Sequence, residues 1–253
     1  MVTIVLIGLL GWAAGASINY LAEVLPFHRR IVYPFCLNCK APFSLTNYFF
    51  APRRCRACGR ARPLRSWLVE SVLIVSAIWL YRHPQTNLNF YIGLLLLIYF
   101  GVVVLIDIDY RVILHQVSLF GAAFGLATGT LLHGLWATIL GGIAGFGIMF
   151  LLYYLGVLFV RFLARRRGEE IEDALGFGDV NLAGVLGLIL GWPLIGVGLI
   201  LAVLLGGGIS LVYLLYMILT RRYRSFVPIP YGPFMIASAV ILLFFINSIA
   251  SLF

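Results

Sequence analysis

Eight apolar runs, each near the length needed to cross a lipid bilayer, govern what this chain can become. A hydrocarbon core about 30 Å thick takes ~20 helical residues. Runs of that kind fall at about 3–24, 65–82, 89–106, 113–132, 136–160, 179–191, 194–219 and 233–252. In lipid every backbone N–H and C=O has to be satisfied inside the segment, so runs of this length are helices. Hydrophobic residues make up 62% of the 253 and charged residues 11%, against roughly 45–50% and about 25% in a soluble domain. A cytosolic globular enzyme, a disordered tail and a disulfide-stapled secreted module are excluded. The fold class is all-α polytopic membrane protein, with about eight transmembrane helices and one polar insert at 26–64. The sixth run is short, and Gly191-Trp192-Pro193 reads either as its end or as a kink. The first run is too long for a signal peptide and lacks a basic n-region, so it is expected to be an anchor.

The net charge of +9 would point to nucleic acid in a soluble chain, but its distribution points elsewhere. With the 26–64 insert placed in the cytoplasm and sides alternating at each span, all but Arg82 of the 18 basic residues fall inside. The positive-inside rule requires this asymmetry. Membrane topology therefore accounts for the charge, and no nucleic-acid partner is expected. The chain divides into a first helix at 1–25, the insert at 26–64 and a helical core at 65–253.

All four cysteines lie in the insert, as Cys36-Leu-Asn-Cys39 and Cys55-Arg-Ala-Cys58 with fifteen residues between the pairs. Twin C-x-x-C hairpins at this separation supply four thiolates to a tetrahedral structural Zn²⁺. A reducing cytoplasm disfavours the alternative of two disulfides. A segment of about forty residues has too small a core to hold itself, so metal binding supplies its folding energy. The arginines around it read as solvated face charges near the headgroups.

Four of the nine carboxylates, Glu169, Glu170, Glu172 and Asp173, form one run that reads as a solvated loop. Glu23, Glu70, Asp107, Asp109 and Asp179 instead lie beside or within spans, where ionisable groups are costly and mark function. Asp107 and Asp109 close the third span in Leu-Ile-Asp-Ile-Asp, and Asp179 opens the sixth in Gly176-Phe177-Gly178-Asp179. Both ends face the same side in this topology, so Asp107 and Asp179 can meet. Two carboxylates brought close share a proton, which lets one act as base on a water while the other polarises a carbonyl. Asp109 reads as a headgroup-level end residue. For Asp179 a helix N-cap is the structural alternative, compatible with a catalytic role. Gly176 and Gly178 would let an extended backbone approach the carboxylates. His28, His83, His115 and His133 are scattered and offer no rival nucleophilic pairing.

Gly176-Phe177-Gly178-Asp179 resembles the signature of the GxGD membrane aspartyl proteases, and four further motifs narrow the resemblance to the bacterial type IV prepilin peptidase family. Gly15-Ala16-Ser17-Ile18-Asn19 with Leu25-Pro26 resembles the family's opening G-S-F-L-N…R-L-P. The twin C-x-x-C insert ending in Leu68-Val69-Glu70 resembles its zinc-bearing segment, and Leu105–Asp109 the segment of its first catalytic aspartate. Pro228-Ile229-Pro230-Tyr231-Gly232-Pro233-Phe234 resembles its P-I-P-F-G-P-Y signature. The chain departs from the pattern at Ala16-Ser17, Val24, Leu37, His115 and Asn181, without losing a catalytic carboxylate or a cysteine.

The resemblance implies Asp107 and Asp179 as the catalytic pair, and Gly176, Gly178, Pro230, Gly232 and Pro233 as substrate-binding residues. It implies a peptidase core at 65–253 in the bacterial inner membrane that removes the leader from type IV prepilins or pseudopilins on the cytoplasmic side, after a glycine. Members with the insert commonly methylate the new N-terminus with S-adenosylmethionine, and Asn19 and Glu70 are the candidates for holding that donor. Gly11, Gly15 and Ala16 read as permitting close helix packing. A peptidase without methyltransferase is one alternative. Two others are a secondary transporter using its intramembrane aspartates and a membrane scaffold with a zinc module. The candidate acids sit at span ends rather than mid-span and no inverted repeat is evident, which disfavours the transporter.

Overall fold

The computed structural model describes residues 1–50, 53–84, 88–167, 176–220 and 230–245. The expected spans are present as eight helices: α1 Val2–His28, α3 Leu64–Arg82, α4 Phe90–Tyr110, α5 His115–His133, α6 Leu135–Arg167, α7 Phe177–Leu190, α8 Leu194–Leu219 and α9 Gly232–Phe244. A ninth, α2 Leu45–Phe49, lies in the insert. Among the described residues no strand forms, only two isolated bridges. By length and composition α1, α3, α4, α6 and α8 suffice to cross a bilayer, while α7 and α9 are shorter apolar helices. The chain is a multi-pass membrane protein.

It divides into two compact units, Met1–Ile106 and Asp107–Phe253, with the division falling inside α4. In the first unit α1 lies against α3. An added Cβ at Gly11 would stand 2.8 Å from the Ile74 Cα and one at Gly15 2.6 Å from the Glu70 Cα, so backbone meets backbone as small residues allow. The helix α1 runs to His28 through Pro26, further than the apolar run implied. Proline there removes one N–H near the helix end and is tolerated. Arg29, at φ 53, then ends the helix by donating its N–H to the Leu25 carbonyl. The insert has its own small core of Cys36, Phe43, Tyr48 and Cys55 with Tyr20 and Phe49 packed on it.

In the second unit α7 is the central helix, with Val180, Leu182, Ala183, Leu186, Ile189 and Leu190 all buried. At ~1.5 Å per residue its 14 residues span only about 21 Å, short for a bilayer. The tight seam between α6 and α7 is set by Gly141, Gly145 and Gly187, where a side chain would collide with the opposite backbone. Gly191-Trp192-Pro193 is a true break between α7 and α8 rather than a kink. Gly191 caps α7 at φ 72, and the Trp192 N–H turns to the Ala137 carbonyl at 2.9 Å.

Candidate functional site

Asp107 lies on the last turn of α4, where Arg111 donates its backbone N–H to the Asp107 carbonyl at 2.8 Å and stops the helix at φ 54. Its side chain is 5% exposed. The carboxyl faces the first residue of α9: the Gly232 backbone N–H is directed at it, and a Cβ at Gly232 would stand 2.5 Å from Oδ2. Only glycine permits this approach. Oδ2 itself is buried without a hydrogen-bond partner among the described residues.

Asp179 is not an N-cap. Gly176 caps α7 in extended backbone, and Asp179, third residue of the helix, donates its own N–H to the Gly176 carbonyl at 3.0 Å. Its carboxyl reaches back to the Gly176 N–H, the arrangement of the returning half of a capping box. Gly178 packs on Ile113, leaving 2.9 Å between an added Cβ and the Ile113 Cβ. Asp107 and Asp179 are close enough for each charge to act on the other, and Tyr231 stands within the field of Asp179. The two carboxylates thus share a site at the positive ends of α7 and α9, which favour anions in apolar surroundings. The start of α9 meets both acids, with Gly232 on Asp107 and Tyr231 in the field of Asp179. Pro228, Ile229 and the acidic run Glu169, Glu170, Glu172 and Asp173 lie outside the described residues. Asp109 is exposed.

The cysteine site forms in the first unit. The four Sγ atoms lie within 4.8 Å of one another, with Cys36–Cys58 and Cys39–Cys55 both at 3.7 Å. A tetrahedron with Zn–S of about 2.3 Å has edges of about 3.8 Å, so the set fits Zn²⁺. The two hairpins are near copies. Lys40 and Gly59 follow their second cysteines at φ 60 and 71, each donating an N–H to the first cysteine's carbonyl at 2.8 and 2.9 Å. The Cys58 backbone N–H pulls the Cys55 thiol down to about 7 against the opposing effect of burial. Cys39 is pushed up to about 11 despite the Ala41 N–H, because burial and three neighbouring thiols disfavour a further thiolate. A divalent cation would remove that repulsion.

Two arginines of the insert overturn the expectation of solvated face charges. Arg53 and Arg62 flank the second hairpin and are joined by the Arg62 N–H to the Arg53 carbonyl at 3.1 Å. Arg53 donates to both oxygens of Glu70 on α3 at 3.1 and 2.9 Å, the two side chains being 5% and 4% exposed. Arg62 donates to Glu23 on α1 at 2.8 Å, and Tyr48 donates to the other Glu23 oxygen at 2.6 Å. Burial, then the adjacent Glu23 carboxylate, holds the Tyr48 phenol protonated well above the ordinary tyrosine range. Buried charges survive only when paired in this way.

Asn19 and Glu70, expected to hold a methyl donor, meet in this network. Glu70 also accepts from Trp12 at 3.1 Å, and Asn19 donates to the Ser66 carbonyl at 3.0 Å and to Glu70 at 3.5 Å. Both Glu70 oxygens accept within the network, while the Asn19 Oδ1 is buried with no hydrogen-bond partner among the described residues. Sequence spacing offered no signal for the network, since the arginines and their carboxylates are 17 and 39 residues apart.

The architecture defines a polytopic helical membrane protein carrying a paired-aspartate site and a tetrathiolate site. Residues 91–211, a stretch holding both aspartates, match the profile of the type IV leader peptidase family. A prepilin leader peptidase/N-methyltransferase of Aeromonas hydrophila is 26% identical over 236 residues, covering 88% of this chain and 75% of the relative. Its namesake in Aeromonas salmonicida strain A449 is 26% identical over 224 residues, covering 85% and 72%. That of Bacillus subtilis strain 168 is 24% identical over 246 residues, covering 90% and 89%. No solved structure matches the chain.

Proposed function

We propose that this chain is an aspartyl endopeptidase that removes the leader from type IV prepilins or pseudopilins, with Asp107 and Asp179 as the catalytic pair. The observation that carries the reading is the convergence of the two carboxylates at the starts of α7 and α9, with Gly232 against Asp107. A water between them loses its proton to one carboxylate and attacks the scissile carbonyl, while the other, protonated, polarises that carbonyl. No covalent enzyme intermediate forms. Gly176, Gly178 and the Pro230–Pro233 turn border the pair and would seat the unwound junction. The orphaned Asp107 Oδ2 is the atom offered to that water.

The distribution of basic residues supports a reading in which the aspartates and the 26–64 insert face the cytoplasm from a bacterial inner membrane. The insert acts as a module on the 65–253 core, with Cys36, Cys39, Cys55 and Cys58 holding a structural Zn²⁺. Methylation of the new N-terminus by S-adenosylmethionine is favoured by the names of the relatives. Asn19 and Glu70 are the candidates for holding that donor, the buried Asn19 Oδ1 being a free acceptor among the described residues.

The test is incubation of the lipid-reconstituted, zinc-loaded protein with a prepilin bearing a glycine–phenylalanine junction, read by mass spectrometry with and without S-adenosylmethionine. Release of the leader after the glycine is expected, and a gain of about 14 Da, CH3 replacing one amine hydrogen, would report methylation. An intact precursor with folded protein would overturn the peptidase reading.

A further inference from the structure

Between α5 and α6, floored by α7, lies an apolar cleft of about 660 Å³. Its shape follows from the connections. The helices α5 and α6 form a hairpin closed at Gly134, and the C-terminal end of α7 is held there, with His133 against the Ile189 carbonyl at 2.8 Å. The N-terminal end of α7 lies at the open end, where Phe177 meets Tyr153 of α6 at 5.8 Å and Gly178 meets Ile113 just before α5. The wall on α6 runs from Ile139 to Phe150, about 16 Å at ~1.5 Å per residue.

Polarity is confined to one end of this cleft. Leu119, Ile143 and Leu188 line its length, whereas His115, Ser118 and Asn181 sit at the open mouth, and Asn181 is two residues from Asp179. Ser118 is 6% exposed, and Asn181 makes no side-chain hydrogen bond within the described residues. An acyl chain would need no acceptors there. A helix end does need them, because its first four N–H groups have no partner within the helix and lipid offers none.

We infer that the α5–α6 cleft receives the apolar helix of the precursor on the carboxyl side of the scissile bond. His115, Ser118 and Asn181 accept the N–H groups freed where that helix unwinds toward Asp179. The inference rests on the peptidase reading and adds the seat of the substrate helix to it. The apolar length holds the helix, the polar mouth sets where it stops, and the distance from mouth to aspartates sets which peptide bond is presented.

The experiment uses the full chain in lipid with a full-length prepilin. Gly147 lines the cleft, and a Cβ added there meets nothing within 4 Å, so Gly147→Phe puts a ring into the cleft from an unobstructed attachment point. Gly208 on α8 also has open space, and Gly208→Phe is the control. Gly147→Phe is expected to raise KM at least about tenfold with kcat little changed, since it removes binding and not chemistry, while Gly208→Phe behaves as wild type. In the Asp179→Asn background, a photoreactive phenylalanine derivative at Ile143 is expected to capture the precursor through its apolar segment, and one at Leu215 on α8 is not. Unchanged KM for Gly147→Phe, or capture of lipid alone at Ile143, would overturn the cleft assignment. Wild type that cuts nothing yet captures precursor at Ile143 would instead overturn the peptidase reading and keep the cleft.

Discussion

Replacing Glu70 by glutamine keeps its shape but removes the counter-charge of Arg53, and with a single acceptor oxygen it keeps only one of the contacts with Trp12 and Asn19. Both side chains are almost wholly buried and joined by two hydrogen bonds. Breaking one partner of a buried pair leaves an uncompensated charge, at a cost of about 3–5 kcal/mol. Arg53→Met should cost more than Glu70→Gln. It also strips the Phe49 carbonyl of two donors at 3.1 and 2.7 Å, about 1 kcal/mol more, and the stacking of Arg53 on Trp67 at 4.1 Å. The double variant Arg53→Met/Glu70→Gln should fall short of the sum of the singles by about 2 kcal/mol. Thermal unfolding in bicelles, with zinc release to a chromophoric chelator as the readout local to the insert, measures all three. Early zinc release in both singles, partly restored in the double, is the expected pattern. Singles costing no more than about 1 kcal/mol, as exposed pairs do, or strictly additive effects, would refute the clasp.

Gly232→Ala should lower cleavage at least about a hundredfold through misplacement of the reacting groups while the protein stays folded, because its Cβ would stand 2.5 Å from Asp107 Oδ2; circular dichroism and zinc content check the fold. Gly59→Ala meets no neighbour but sits at φ 71, so it should weaken zinc binding by about 1 kcal/mol, measured by chelator competition. Tyr48→Phe removes a buried 2.6 Å bond to Glu23 and should destabilise the insert by about 1.5–3 kcal/mol, seen as a lower zinc-release temperature. Cys55→Ser should abolish stoichiometric metal, read by elemental analysis, since one of four closely spaced ligands is lost.

The helices were legible because apolar run length is itself the physical requirement for crossing lipid, and the twin cysteine hairpins because metal geometry demands that spacing. The approach of Asp107 to Asp179 could be inferred from topology, with both acids at span ends on one face. What escaped the sequence depends on contacts between distant residues. Arg53 and Arg62 look like any basic loop residues until the hairpin they flank turns them toward Glu70 and Glu23. Pro26 reads as a helix end, yet the last turn of α1 tolerates its missing N–H. Asp179 looks like a cap because glycines precede it, and only the backbone shows Gly176 in that position. Asn19 and Glu70 were legible as polar residues out of place, but not as members of an ion-pair network with Arg53.

The most direct test of the paired-aspartate site is prepilin cleavage by wild type, Asp107→Asn and Asp179→Asn in the same lipid, each variant matched for zinc content and helicity. Loss of leader release in each single variant, with precursor binding kept, is the result expected if the two carboxylates act on one water. Cleavage persisting in either variant would contradict the pairing.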